Sequence, residues 1–220
     1  MLDKIKGAIF DMDGTLIDSL CLWDMMWEMF GRQYLGQEGF RPDETADKAV
    51  RTMTLKDAMT MIHERYGLAE SGAALLDAAN GIIRDFYSTK VQLKPGAREF
   101  LEACRDRGIQ MCIASATGPK LLALAIDHCG IGDYFSFVIS CAQIGKGKDE
   151  PDIYLAAMEK LGTTLENTCV FEDSHVAIET AHKIGMKTVA VYDRYNYGQE
   201  IMRAVADEYI ADGETLMRLV

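Results

Sequence analysis

Ile5-Lys6-Gly7-Ala8-Ile9-Phe10-Asp11-Met12-Asp13-Gly14-Thr15 opens as a short apolar strand and ends on two carboxylates, a glycine and a hydroxyl. In extended backbone, side chains at i and i+2 point the same way and sit about 7 Å apart. Asp11 and Asp13 therefore face one crevice together. Two carboxylates at that spacing can bracket a phosphate, one on the side of attack and one near the leaving oxygen. Gly14 lets the backbone turn closely there. Asp-Gly-Thr after a strand can also be no more than a turn, so its meaning depends on what the rest of the chain places beside it.

Outward from this stretch, short apolar runs alternate with helical patterns. Strands are expected at Ile5–Phe10, Ile109–Ala114, Phe135–Ser140, Thr168–Phe171, Thr188–Val191 and, weakly, Glu208–Ala211. Helices are expected at Ala97–Arg107, Pro119–Cys129, Asp152–Leu161 and Val176–Ile184, with Gly108, Gly162 and Gly185 where C-terminal caps belong. Strands alternating with helices imply an α/β fold, a parallel sheet covered on both faces. The alternation breaks once, between Leu16 and Leu93, in a stretch that reads as wholly helical. Trp23, Met26, Trp27 and Phe30 recur at i, i+3, i+4 and i+7, one helix face that fits a packed interior better than a substrate box. Thr54–Tyr66 and Ala73–Tyr87 read as two further helices. The expected division is a catalytic core of residues 1–15 and 94–220, with residues 16–93 inserted as a small helical cap over the C-terminal edge of the sheet.

Three more signals fall at strand ends. Ala114-Ser115-Ala116-Thr117-Gly118 closes one strand and opens a helix, and a hydroxyl beside helix N-terminal N–H groups suits a phosphate. Lys148 lies in Gly147-Lys148-Asp149-Glu150-Pro151-Asp152, between the third strand and the next helix. Phe171-Glu172-Asp173-Ser174 ends the fourth strand, and paired acids there are natural ligands for a hard cation such as Mg²⁺. Each has a plainer reading: Ser115 as a helix cap, Lys148 as a solvated lysine, Glu172 and Asp173 as acids at a helix start. Their common position favours the chemical reading, because ligands in open α/β sheets bind outside the carboxyl ends of the strands. Gly145–Lys148 resembles a fragment of a P-loop, but no Ser or Thr follows either lysine.

Taken together the motifs resemble the haloacid dehalogenase superfamily, from Ile9 to about Val191, and within it the β-phosphoglucomutase-like and phosphoglycolate-phosphatase-like members with a helical cap. The resemblance implies a Rossmann-like core with strand order near 3-2-1-4-5. It implies that Asp11 is the nucleophile and Asp13 the general acid/base. Gly14, Thr15, Ser115, the Ala116 amide and Lys148 would gather the phosphoryl group. Asp11, the main-chain carbonyl of Asp13, Glu172 and Asp173 would hold Mg²⁺. Two positions depart from many relatives: Asp149 where proline often follows the lysine, and Ala177 where glycine is common. Neither removes a reactive group.

The implied activity is Mg²⁺-dependent hydrolysis of a small phosphorylated metabolite through an aspartyl-phosphate. A phosphosugar mutase could use the same nucleophile, and a dehalogenase or a non-catalytic binding protein would need fewer of these groups. Electrostatics explain the cationic requirement. At 4 Å each like-charge pair costs about 4 kcal/mol at an effective dielectric near 20, so a carboxylate reaches a phosphate dianion only beside positive charge. Asp13 must be protonated to donate to the leaving oxygen and deprotonated to activate water.

Bulk properties agree. The chain of 220 residues carries 34 acidic and 23 basic side chains, a net charge of −11, which argues against nucleic-acid or anionic-membrane partners. No apolar signal core or long apolar run is present, and the expected location is cytoplasmic. The six cysteines lack metal-ligand spacing, and Cys112, Cys141 and Cys169 read as buried thiols. His63, His128 and His182 read as structural, and His175 as a first-turn residue facing solvent with a possible touch on metal or substrate. Asp18 and Ser19 fit either a helix cap or a hinge. Oligomeric state is not written in the sequence.

Overall fold

The structure, a computed structural model, describes residues 2–50 and 53–220. Met1, Arg51 and Thr52, which fall within the ranges expected for core and insert, lie outside the described residues. Two compact units emerge, one of residues up to Leu20 with Val91–Val220 and one of Cys21–Lys90.

The first unit is built on a six-stranded parallel sheet. Its strands are β1 (Gly7–Phe10), β4 (Gln110–Ser115), β5 (Phe137–Ser140), β6 (Thr168–Glu172), β7 (Lys187–Val191) and β8 (Glu208–Ile210), in spatial order β5-β4-β1-β6-β7-β8. Numbered among themselves these strands run 3-2-1-4-5-6, which extends by one edge strand the order near 3-2-1-4-5 that the family resemblance implies. β1 lies at the centre, with Gly7 opposite Gln110 and Thr168, and Phe10 opposite Ile113 and Phe171. Both faces of a parallel sheet are covered, so its strands read as continuous apolar runs rather than alternating ones. All four residues of β1 are buried.

Alternation still decides which layer each side chain joins. Phe10 stacks on Phe171 with centroids 4.5 Å apart and meets Phe100 edge-on at 6.2 Å. Phe100 comes from α5 (Ala97–Asp106). Ile9, Cys112 and Val170 point to the other face, against Ile153, Tyr154 and Ala157 of α8 (Asp152–Leu161) and Ala177 and Ala181 of α9 (His175–Lys183). Ala177 is fully buried there, so its methyl group is part of the core. α6 (Pro119–Cys129), α7 (Cys141–Ile144) and α10 (Gln199–Val205) complete this unit.

The expectation of a wholly helical stretch from Leu16 to Leu93 needs one correction. β2 (Ile17–Asp18) and β3 (Gln92–Leu93) form an antiparallel two-stranded ribbon, and the Lys94 N–H extends it by donating to the Leu16 carbonyl at 2.8 Å. Two-residue strands are too short to show a period of two. The second unit, Cys21–Lys90, contains α1 (Cys21–Phe30), α2 (Glu44–Val50), α3 (Leu55–Tyr66) and α4 (Gly72–Thr89). Met26, Trp27 and Phe30 are buried in its interior with Met59, Ile62 and Leu75, and Trp23 packs against that cluster. Thr54 caps α3 and Ser71 caps α4 by accepting main-chain N–H bonds.

Candidate active site

β1 delivers Asp11 and extends its ladder by one bond, the Asp11 N–H donating to the Phe171 carbonyl at 2.9 Å. The chain then folds back on itself, with the N–H groups of Leu16 and Ile17 both donating to the Met12 carbonyl at 3.0 Å. Gly14 takes φ +80°, and a Cβ there would overlap the Asp173 carboxylate. Glycine is required twice over, for the left-handed backbone and for the close approach.

Asp11, Glu172 and Asp173 are all buried and bring carboxylate oxygens within 4.8 Å of one another. Lys148, from the loop between α7 and α8, donates to both Asp11 and Glu172. The Tyr154 hydroxyl also donates to Glu172 at 3.3 Å, and the other Glu172 oxygen accepts the Asp173 N–H at 3.2 Å. Thr15 is fully buried and donates to Asp173 Oδ1 at 3.1 Å. Asp13 accepts Ser19 Oγ at 2.6 Å on one oxygen and Thr117 Oγ1 at 2.8 Å on the other. Ser115 is buried at the end of β4 and joins the group through Thr117, whose N–H it accepts at 3.0 Å. Ala116 follows, exposed, at the turn into α6.

The four motifs therefore converge on one sheet edge, with a division of labour. Asp11, Lys148, Glu172, Asp173 and Thr15 form one bonded cluster. Asp13, Ser19, Thr117 and Ser115 form a second chain of bonds beside it. The Asp13 carboxylate is not among the three that could grip a cation, and the Thr15 hydroxyl is engaged with Asp173. Ser19, which the sequence left between cap and hinge, is buried on Asp13. His175 lies half-buried with its ring against Gly198 and is no member of the cluster. Lys146 pairs with Asp152 at 2.9 Å, and His63 Nδ1 bonds the Leu68 carbonyl at 2.8 Å.

Burial and the crowding of charge shift Asp11, Asp173 and Lys148. Burial pushes the Asp11 carboxyl up to about 7, against the pull of Lys148 and with added push from Glu172 and Asp13. Burial, Asp11 and Glu172 hold Asp173 well above the carboxylate range, although Lys94 draws it down. Burial alone would lower Lys148, but Asp11 and Glu172 more than offset this and keep it firmly an ammonium. The oxygen-only donor set and the surplus of negative charge fit a small hard dication.

Sequence patterns did not identify Asn196, Lys94, Asp193 or Tyr154. Asn196 donates to the carboxylate and the main-chain carbonyl of Asp173. Lys94 pairs with buried Asp193 at 2.8 Å. Tyr154 belongs to an apolar helix stripe and reads as core, which its ring is. Only its hydroxyl reaches the site.

A family model described as a haloacid dehalogenase-like hydrolase matches residues 5–185. A phosphorylated carbohydrates phosphatase of Thermotoga maritima is 24% identical over 96% of this chain and 97% of that relative. Hexitol phosphatase B of Escherichia coli K12 is 28% identical over 86% of this chain and 84% of that relative. Among solved structures, one described as a putative β-phosphoglucomutase from Thermotoga maritima superposes with a TM-score of 0.81 at 24% identity, covering 98% of each chain.

Proposed function

The chain belongs to the haloacid dehalogenase-like hydrolase family, and from that premise we propose that it is a Mg²⁺-dependent phosphomonoester hydrolase acting on a small phosphorylated metabolite. The carrying observation is the cluster in which Lys148 bonds Asp11 and Glu172 while all three carboxylates lie within 4.8 Å. A nucleophile, a fixed ammonium and a set of cation ligands in one place are what phosphoryl transfer requires. The relatives' names, phosphatases of sugar and polyol phosphates, support the substrate class.

In this reading an Asp11 oxygen attacks phosphorus as the ester P–O bond breaks, giving an aspartyl-phosphate. The departing oxygen takes its proton from Asp13, whose carboxyl is fixed by Ser19 and Thr117. Asp13, now a carboxylate, removes a proton from the water that attacks the same phosphorus. The bond to Asp11 then breaks, and orthophosphate leaves with Asp11 restored. Ser115 and the Ala116 amide orient the phosphoryl group, and Lys148 offsets its charge at Asp11. Asp11, Glu172, Asp173 and the Asp13 carbonyl would hold Mg²⁺, which supplies charge neutralisation at the transferring oxygens.

Phosphate release from a panel of sugar phosphates, polyol phosphates and phosphoglycolate, with and without Mg²⁺, tests the proposal against Asp11→Asn as the blank. Mg²⁺-dependent release is expected. A panel that yields none overturns the reading, and isomerisation of a sugar phosphate without net release replaces it with a mutase. Among the described residues no helix is long and apolar enough to cross a membrane.

A further inference from the structure

Residues 192–198, between β7 and α10, carry none of the four motifs yet reach into the carboxylate cluster. The Asn196 amide donates to Asp173 Oδ2 and, at 3.0 Å, to the Asp173 carbonyl. Thr15 Oγ1 donates to the opposite carboxylate oxygen. Each oxygen of Asp173 thus has one neutral protein donor and keeps lone-pair capacity for a further partner. The other two carboxylates are held differently, for Asp11 and Glu172 share the Lys148 ammonium. Neutral donors fix the direction of Asp173 without cancelling its charge, which suits a ligand awaiting a cation.

The arm that carries Asn196 is itself braced. The Asn196 N–H donates to the Asp193 carbonyl at 3.1 Å. Asp193 is buried, pairs with Lys94 at 2.8 Å and accepts the Tyr195 N–H at 2.9 Å. Gln199 Nε2 donates to the Asp193 carbonyl at 2.9 Å, and its Oε1 accepts the Tyr209 hydroxyl at 2.9 Å. Gly198 turns the chain at φ +75° beneath the His175 ring, where a Cβ would collide. A surface loop built only to connect β7 with α10 has no need of these bonds.

We infer that Asn196 is a positioning residue that holds Asp173 toward the divalent cation, an inference that rests on the function proposed above. Isothermal titration with Mg²⁺, together with the Mg²⁺-dependent rise in thermal midpoint, reads the effect apart from turnover. Asn196→Ala is expected to weaken Mg²⁺ binding by about 10- to 100-fold, with kcat at saturating Mg²⁺ near the wild-type value. Asn196→Ser, polar but too short to reach Asp173, is expected to shift in the same direction. Arg194→Ala, an exposed change on the same arm, is expected to leave Mg²⁺ affinity unchanged. Wild-type affinity in both Asn196 variants overturns the inference. So does an equal loss in Arg194→Ala, or a fall in kcat with affinity intact. A wild-type protein that binds no Mg²⁺ overturns the proposed function as well, so the two failures are distinguishable.

Discussion

The helical insert and the α/β core solve burial in opposite ways. All ten buried polar or charged side chains among the described residues, Asp11, Glu172, Asp173 and Asp193 among them, belong to the core unit. The buried interior of the insert is apolar, built on Trp27, Phe30, Met59 and Ile62, with a half-buried Asp47 accepting the Trp27 indole N–H at 3.2 Å. Burying an uncompensated charge is costly, so a chain concentrates buried charge where chemistry uses it. The insert should accordingly have a stability indifferent to pH and cations in the neutral range, and the core a stability tuned by both.

The largest effect that could break this contrast is on turnover. Asp11→Asn is expected to lower phosphate release by ~10⁴-fold or more while the metal-free protein stays folded, because one charge leaves a crowded site. Substantial residual activity would remove Asp11 from the nucleophile's role. Trp27→Ala should come next, costing about 3–5 kcal/mol of the insert's stability, read by chemical denaturation. That deficit should be the same with Mg²⁺ or EDTA. If it varies with the cation, the two regions are not energetically separate.

The pH response sharpens the contrast further. Asp11 is held at about 7 when folded, against 3.8 for the free group. Between those values the folded state keeps a proton that the unfolded state has released, so stability falls as pH rises through the window. Asp173 acts in the same direction. In EDTA the thermal midpoint is expected to be higher near pH 5 than near pH 8, by about 2–4 °C for each kcal/mol. Mg²⁺ bound as proposed would compete with protons for the same oxygens, so it should stabilise more near pH 8 than near pH 5. A metal-free midpoint that climbs across this range would refute the surplus of charge. The smallest effect is expected for Thr54→Ala, which removes the cap of α3 at a cost of about 1 kcal/mol; denaturation should show it, and phosphate release should not change.

The core was legible where a site residue closes or directly follows a strand, as Asp11 and Glu172–Asp173 do, or stands in a loop with its own local pattern, as Lys148 does between α7 and α8. The helices Pro119–Cys129 and Asp152–Leu161 have the bounds expected from their spacing, because their apolar periodicity runs between Gly118 and Gly130 in the first and between Pro151 and Gly162 in the second. Asn196 was not legible, since it acts through a tertiary bond to a residue 23 positions away and follows no periodic element. The β2–β3 ribbon, with two residues per strand, and α2 and α10, with seven each, are too short for periodicity to declare. Cys141 was expected to be buried at the end of an apolar run; it opens α7 half-buried instead, because the strand before it stops at Ser140.

β1 borders β4 and β6, and both partners are encoded more than a hundred residues downstream of it. During synthesis its four apolar residues emerge early and wait, at ribosomal speeds of about 5–20 residues per second, for on the order of ten seconds before Thr168 is made. The insert meanwhile has every partner it needs close by in the chain. This protein therefore carries its own folding hazard at its centre: the strand that presents Asp11 is the one left longest without neighbours, and newly made chains are most exposed to aggregation or proteolysis in that interval.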